Sequence, residues 1–221
     1  RGPATRYDLE TGTFHPFPPM RRGLTDYHLS ASGKWLFHGQ NIFDIESNEL
    51  LSFTARRPVS GKGGQIYYAL DGNVMAVDMT RPRLVDGKDR RGKTIKKKTF
   101  APLWQLPSSE ILAAVNEDED YGSPRLRTSI EGPLSIDLRA GDRLYGHWAD
   151  VLFAIDLPVG GGKPRVSWTT TVAGTPRTLL AADGKLFVGT NEGRIYCFSG
   201  TQSHPKTYAE VTEGGQFNLP S

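Results

Sequence analysis

The sequence has little cysteine. Among its 221 residues only Cys197 is of this type, which excludes an intrachain disulfide, a CxxC redox motif and a zinc site built from several cysteines. Cys197 lies in the apolar stretch 195–198, and free cysteine is among the most buried residue types, so a buried strand position is predicted. No run of about 18 apolar residues is present, and no membrane-spanning helix is expected. The sequence assigns no compartment.

An excess of one charge sign is also lacking. The chain carries 27 Lys and Arg against 24 Asp and Glu, a net charge of +3. This balance gives no overall reason to expect binding to nucleic acid or to an anionic membrane. The histidines stand singly, without the HxH or HExxH spacing that brings two ligands to one metal. They are His15, His28, His38, His147 and His204.

Other motifs with known chemistry are missing as well. The glycine-rich segments Ser60–Gly64 and Val159–Lys163 lack the GxxxxGK[ST] pattern and are predicted to be turns. No serine occupies a GxSxG nucleophile elbow. The acidic run Glu117–Asp120 lacks the alternating oxygen ligands and central glycine of a calcium loop. The sequence therefore predicts no catalytic residue, no metal site and no cofactor.

Glycine and proline, in contrast, are abundant, with 25 and 15 residues. Together with the aromatic residues they predict many short strands joined by tight turns. The clearest unit is Ala182–Gly200, two apolar runs around a glycine-containing turn, which is typical of a β-hairpin. Asp71–Gly72 between two apolar runs is an equally strong hairpin signal.

Looser copies of this hairpin recur along the chain. The residues that close the second strand of each copy are Asp8, Asp44, Asp78, Asp156 and Ser199, and the gap of 78 between the third and fourth leaves room for two units. A period of about 40 residues is typical of propeller blades. We predict an all-β fold, a β-propeller of about five to six irregular blades over residues 1–200, followed by a polar tail or linker over 201–221. A β-sandwich is the structural alternative.

The period is interrupted in the middle of the chain. Thr80–Lys98 has no apolar periodicity and is predicted to be a long exposed insertion. Phe100–Leu106 is predicted to be an outer strand and Glu110–Asn116 an inner strand, followed by a loop over Asp120–Pro133. Loops at the mouth of a propeller often bind partners, so the insertion and this loop are the predicted binding regions.

The insertion carries a dense cationic cluster, formed by Arg90, Arg91, Lys93, Lys96, Lys97 and Lys98. Six positive charges in nine residues attract phosphate or an acidic protein surface in a strongly salt-dependent way. Only Phe100 is nearby, so the aromatic residues of a single-strand nucleic-acid surface are missing. These six residues are the predicted partner-binding site. The alternative is a solvated loop that contacts the acidic run Glu117–Asp120.

The segment ADGKLFVGTNEGRIYCFSG at Ala182–Gly200 resembles the repeat of the quinoprotein alcohol dehydrogenase-like, or PQQ-repeat, propellers. GNVMAVD, NIFDIES and VLFAIDL resemble it less closely. Family repeats continue into a Thr-Gly turn and an outer-strand tryptophan that docks between blades. Asp8–Gly12 keeps the turn, and Trp104 and Trp168 are candidates for docking. The resemblance thus implies a propeller for most of the chain.

The same resemblance bears on function. Catalytic relatives often carry an adjacent cysteine pair against the quinone and a calcium site, and neither is matched here. The resemblance therefore points to the non-catalytic branch, which is similar to the propeller of an outer-membrane assembly lipoprotein. The segment His204–Glu210 is similar to bacterial proteins in which such a propeller precedes a methyltransferase domain.

Together these features favour a non-catalytic binding or scaffold module within a larger bacterial protein. The expected partner is another protein or a covalently linked neighbouring domain; a small-molecule ligand is compatible with the fold, and nucleic acid is disfavoured. Two alternatives stay open. One is enzymatic, a degenerate quinoprotein dehydrogenase or the accessory domain of a methyltransferase. The other is a nucleic-acid-binding module that uses the basic insertion.

Overall fold

A computed structural model describes residues 5–16, 29–32, 34–38, 41–52, 56–88, 91–117, 127–160 and 162–200. These residues contain seventeen strands, one α-helix and a 3₁₀ turn at Lys62–Gly64. No helix within them is long and apolar enough to cross a membrane. The elements are β1 Thr5–Tyr7, β2 Phe14–Pro16, β3 Leu29–Ser32, β4 Trp35–His38, β5 Asn41–Asp44, β6 Leu50–Ser52, β7 Arg56–Ser60, β8 Gln65–Leu70, β9 Asn73–Lys88, β10 Thr94–Pro107, α1 Ser108–Glu117, β11 Leu134–Ala140, β12 Arg143–Trp148, β13 Val151–Asp156, β14 Arg165–Thr171, β15 Pro176–Ala182, β16 Lys185–Thr190 and β17 Ile195–Ser199.

Strands that follow one another in the chain pair antiparallel and form five sheets. Sheet A contains β1 and β2, sheet B contains β3 to β6, sheet C contains β7 to β10, sheet D contains β11 to β14, and sheet E contains β15 to β17. In sheets B, C and D the order of the four strands in space is their order in the chain. A four-stranded antiparallel meander of this kind is the topology of a propeller blade.

Sheets C and D each bury both of their faces against neighbouring sheets. In β8, Ile66 and Tyr68 pack towards sheet B whereas Tyr67 packs towards sheet D, because successive side chains of a strand point to opposite faces. The buried side chains between sheets B and C are Trp35, Phe37, Ile42, Leu51, Ile66, Tyr68, Val77 and Met79. Those between sheets C and D are Tyr67, Val74, Ala76, Leu106, Ile111, Ile136, Leu144, Phe153 and Ile155. Those between sheets D and E are Leu152, Val172, Leu186 and Val188.

The first strands of consecutive sheets lie side by side. β11 of sheet D contacts both β7 of sheet C and β15 of sheet E. Consecutive meanders that stack face to face with their first strands together form the radial arrangement of a propeller. The predicted all-β propeller class is therefore confirmed, with five sheets in the described residues, and the two-layer sandwich alternative is wrong.

Two outer-strand tryptophans lie at the boundaries between sheets. Trp104 in β10 stacks on Tyr67, with ring centroids 5.9 Å apart, and packs on the cluster between sheets C and D. Trp168 in β14 packs on the cluster between sheets D and E. Both tryptophans, the candidates for docking, therefore contribute to the packing between consecutive sheets.

The repeated aspartate has a local structural role. Asp8 Oδ1 accepts hydrogen bonds from the amides of Glu10 and Thr11, at 3.0 and 2.9 Å. Asp44 Oδ1 accepts two equivalent bonds, from the second and third residues after it, at 3.1 and 3.0 Å. The amide of Thr11 is the largest of the influences that lower the pKa of Asp8, because its bond favours the ionised carboxylate. Hydrogen bonds to the aspartate thus stabilise the turns that follow Asp8 and Asp44.

One predicted strand is a helix. Glu110–Asn116 was expected to form an inner strand, but it lies within α1. Five consecutive apolar residues do not distinguish a strand from a short buried helix. Two serines followed by a glutamate, at residues 108–110, are a sequence signal for the start of a helix. The position of the helix is set by Ile111, which is fully buried between sheets C and D.

Cys197 is exposed rather than buried, so that prediction is wrong. Its neighbours Tyr196 and Phe198 pack towards sheet D, and strand alternation places Cys197 on the opposite face of sheet E. Sheet E is the last of the described sheets, and no described sheet follows it in the chain. An apolar strand pattern alone does not reveal whether a further sheet covers its second face.

We therefore expect the Cys197 thiol to react with Ellman's reagent in the folded protein. Because the thiol is accessible, its rate should lie within about tenfold of the rate in the urea-unfolded chain. The measurement is the absorbance of released thionitrobenzoate at one equivalent per chain. Labelling that requires denaturation would contradict the exposed position.

Candidate partner-binding arm

Strands β9 and β10 extend far beyond sheet C. Residues 73–78 of β9 pair with β8, but further along Pro82–Lys88 pair only with Thr94–Phe100 of β10. We call this two-stranded ribbon the arm; its seven residue pairs span about 20 Å. Within the exposed insertion predicted at Thr80–Lys98, the residues up to Lys88 and from Thr94 onwards are therefore regular strand rather than an irregular loop. Apolar periodicity is absent because ladder hydrogen bonds, and not a buried face, hold the ribbon together.

The base of the arm is fixed by side-chain contacts. The amide of Thr80 donates to Asp78 Oδ1 at 2.8 Å, and Arg81 Nε lies 3.2 Å from Asp78 Oδ2. The hydroxyl of Thr80 also donates to this carboxylate and is the main cause of its lowered pKa. Register shifts on either side of Pro102 interrupt the ladder between β9 and β10. Such irregularities increase the local twist, so they re-aim the ribbon relative to its sheet.

The arm also contacts the neighbouring sheet B. Lys98 Nζ forms an ion pair with Glu49, which lies in the turn between β5 and β6. Phe100 packs on the cluster between sheets B and C. The alternative interpretation of the insertion, a solvated loop in contact with the acidic run Glu117–Asp120, concerns residues 118–120 that lie outside the described part of the chain; the acidic partner found for Lys98 is Glu49. The first part of β10 is therefore anchored rather than free in solution.

The six predicted cations have different surroundings. Lys96 is exposed and pairs with Asp86 across the ribbon, with Nζ 2.7 Å from Oδ1. Arg91 and Lys93 are exposed in and beside the turn at the tip. Arg90 lies outside the described residues, as does the side chain of Lys97, whose backbone belongs to β10. The described members of the predicted group thus lie on one arm, but the surroundings of their side chains differ.

Sequence reasoning missed the contribution of β9. Arg83 and Lys88 are exposed on this strand, and neither has an ion pair with another described residue. Between the cations, three aliphatic side chains are exposed: Leu84 by 65%, Val85 by 41% and Ile95 by 37%. The missed signal was a pair of aliphatic and β-branched stretches on either side of a glycine-containing turn.

Charge and aliphatic surface alternate along the arm. Residues 81–98 contain nine Lys and Arg against two Asp. Directly opposite residues of an antiparallel pair share a face, so Leu84 lies beside Lys98 on one face and Ile95 lies opposite Gly87 on the other. A partner strand along either face would meet cations and aliphatic groups in turn.

The second predicted binding region, the loop Asp120–Pro133, is described only from residue 127 onwards. Arg127 forms a two-pronged ion pair with Asp150, with both N···O distances at 2.9 Å. Its backbone also exchanges two hydrogen bonds with the side chain of Asn116. The hydrogen bond from Arg127 lowers the pKa of Asp150. These contacts connect this end of the loop to α1 and to the turn between β12 and β13 of sheet D.

His147 belongs to a structural network. Its Nδ1 lies 2.7 Å from Asp137 Oδ2, and Ser135 Oγ donates to Asp137 Oδ1 at 3.1 Å. His147 is only 9% exposed, which agrees with the packed, hydrogen-bonded role predicted for it. Ser135 and His147 both bond the carboxylate of Asp137, so the serine hydroxyl is not hydrogen-bonded to the imidazole as it is in a hydrolase triad. Across the described ranges, no group of three or more His, Cys, Asp or Glu is arranged to hold a metal ion.

No protein-family model and no curated protein matches the chain. Among solved structures it is similar to BamB from Moraxella catarrhalis, with 16% identity and a TM-score of 0.37 over 80% of this chain and 58% of that one. It is also similar to U3-55K, with 13% identity and a TM-score of 0.27 over 84% and 81% of the two chains. The WD40 repeats of RRP9 match with 13% identity and a TM-score of 0.28 over 84% and 80%. The propeller assignment rests on the sheet topology.

Proposed function

We propose that this chain is a propeller-type binding scaffold whose arm docks an acidic segment of a protein partner. The observation that carries the proposal is the ribbon itself. It stands beyond sheet C, it is rich in cations, and it leaves Leu84, Val85 and Ile95 exposed. Exposed aliphatic groups flanked by charges are a feature of protein-binding surfaces. No observation on the described residues favours the enzymatic alternatives.

An acidic protein fits the arm better than nucleic acid does. Single-stranded nucleic acid is held by aromatic rings on which bases stack. The aromatic residue at the arm, Phe100, packs instead on the cluster between sheets B and C. Aliphatic side chains give little to a phosphate backbone, whereas they complement the apolar residues of a peptide. We therefore expect recognition by charge together with apolar contact, along an extended acidic peptide.

The test uses a fluorescent peptide of alternating Glu and Val, with poly-Glu and oligothymidine as comparison probes. Arg83 and Lys88 lie on opposite faces of the ribbon. Exchanging both for Glu should weaken binding of the Glu-Val peptide about tenfold at low salt, roughly 1.4 kcal/mol, because an attractive charge becomes repulsive on whichever face the peptide contacts. Exchanging Leu84 and Ile95 for Ser should weaken the Glu-Val peptide about fivefold and leave poly-Glu unchanged. Fluorescence anisotropy at two salt concentrations measures each affinity.

The matched control reverses two exposed cations elsewhere, Lys163 and Arg177, and should leave the affinity unchanged. An equal loss in this control would mean that net charge alone drives binding, and it would refute the arm as a site. Oligothymidine that binds more tightly than the Glu-Val peptide and ignores the Leu84 and Ile95 changes would assign the arm to nucleic acid instead.

A further inference from the structure

A cavity of about 520 Å³ lies between sheets D and E, away from the arm. On the sheet D side it is lined by Arg143, Tyr145 and Trp168, and on the sheet E side by Lys185 and Phe198. Ligand pockets typically have volumes of roughly 300 to 1,000 Å³ and combine an apolar lining with a few polar groups. The size and the lining of this cavity meet both conditions.

The aromatic part of the lining is held in place by its neighbours. Trp168 and Phe198 meet edge to face, with ring centroids 5.3 Å apart and planes at 67°. Tyr196 stacks on Phe198 at 6.2 Å with planes at 13°. Aromatic pairs in these geometries are favourable beyond the area that they bury. The cavity thus has a preformed aromatic wall, which a flat ring system can contact without reordering the protein.

A bulge positions Trp168. In the pairing of β13 with β14, Ala154 lies opposite Trp168 but Ile155 lies opposite Val166, so Ser167 is an extra residue. Bulges re-aim side chains in this way. The hydroxyl of Ser167 donates to Asp156 Oδ1 at 2.9 Å, which holds the extra residue in place.

The charged part of the lining favours an anion. Arg143 Nε donates to Asp156 Oδ1 at 2.7 Å, and Arg165 bonds the other oxygen at 3.3 Å, so the single carboxylate is shared by two guanidinium groups. The Arg143 side chain is still 43% exposed. Lys185 is exposed and has no ion pair with another described residue. Asp183 is the one acidic residue among the lining, which therefore carries two cations against one carboxylate.

We propose that this cavity binds a small aromatic molecule with a carboxylate or sulfonate group. The ring system contacts Trp168 and Phe198, and the anionic group is bound by Arg143 and Lys185. An aromatic wall with charged donors beside it recognises both parts of such a molecule together. A neutral aromatic molecule uses the wall alone and binds more weakly.

Two fluorescent probes separate these contributions. 8-Anilinonaphthalene-1-sulfonate carries the anionic group, and N-phenyl-1-naphthylamine has the same rings without it. The sulfonate should bind at one site per chain and more tightly than the neutral probe. Lys185→Gln should weaken the sulfonate about five- to tenfold and leave the neutral probe unchanged, since one charged contact is lost. Phe198→Leu should weaken both probes.

Lys163→Gln is the matched control, because Lys163 is an exposed lysine outside the lining. It should change neither affinity. The proposal is overturned by several weak sulfonate sites, by equal affinity for the two probes, or by equal losses in the Lys185 and Lys163 variants. Lys185 is exposed, so its variant is expected to fold, and an unchanged unfolding midpoint checks this directly.

Discussion

Replacing Phe153 with Ala is expected to lower the free energy of unfolding by about 3 to 5 kcal/mol, the cost typical of removing a buried phenyl ring. Phe153 is fully buried in the cluster between sheets C and D. The cavity left behind is walled by two separate sheets, each held by its own ladder of hydrogen bonds, and neither sheet moves easily to fill it. Urea unfolding followed by tryptophan fluorescence measures the change.

Phe14 provides the matched control. It is 68% exposed in sheet A and contacts Tyr7, with ring centroids 4.7 Å apart. Phe14→Ala removes the same atoms but should cost no more than about 1 kcal/mol, the value of an exposed aromatic pair. Similar small losses in both variants would show that sheets C and D do not pack on each other through Phe153.

Replacing Gly146 with Ala is expected to cost about 3 kcal/mol, at the upper end of the range for overpacking. A Cβ atom added to Gly146 would lie 2.2 Å from the backbone oxygen of Ser135 and 2.6 Å from the ring of Phe153. The ring could shift, but the backbone oxygen belongs to a strand paired with Gly146 itself. Relief of the clash therefore requires the sheet to distort.

Gly189 is the equivalent test without a clash. It lies in β16, the second strand of sheet E, and an added Cβ would meet no atom within 4 Å. Gly189→Ala should therefore change the free energy of unfolding by less than about 0.5 kcal/mol. Equal destabilisation by the two substitutions would mean that glycine is needed in these strands for its backbone freedom rather than for space.

The arm and the cavity are independent features. The arm extends from sheet C and is anchored to sheet B by Lys98 and Phe100. The cavity lies between sheets D and E, and none of the residues lining it belongs to the arm. The variants proposed for one site therefore leave the other intact. A scaffold with both would bind a protein partner and a small ligand through different blades.

Local signals in the sequence were sufficient for much of the fold. The turn at Asp71–Gly72 and the turns after Asp8 and Asp44 depend on hydrogen bonds within a few residues. Such bonds form wherever these residue types occur in this order, so the hairpins and their period could be predicted. The period in turn required stacking between units, since a single blade cannot bury both of its faces.

The parts of the structure that the sequence did not predict depend on contacts between residues far apart in the chain. The helix α1 forms where Ile111 fills the space between sheets C and D, and the exposure of Cys197 depends on which faces the described sheets cover. Clustering of cations was visible in the sequence, but their placement on a paired ribbon with exposed aliphatic groups was not. By itself, the sequence determined the repeating blade and the absence of familiar catalytic motifs, because both are local patterns. Only the tertiary structure decided the arm and the aromatic cavity, because they depend on register and on packing between separate strands and sheets.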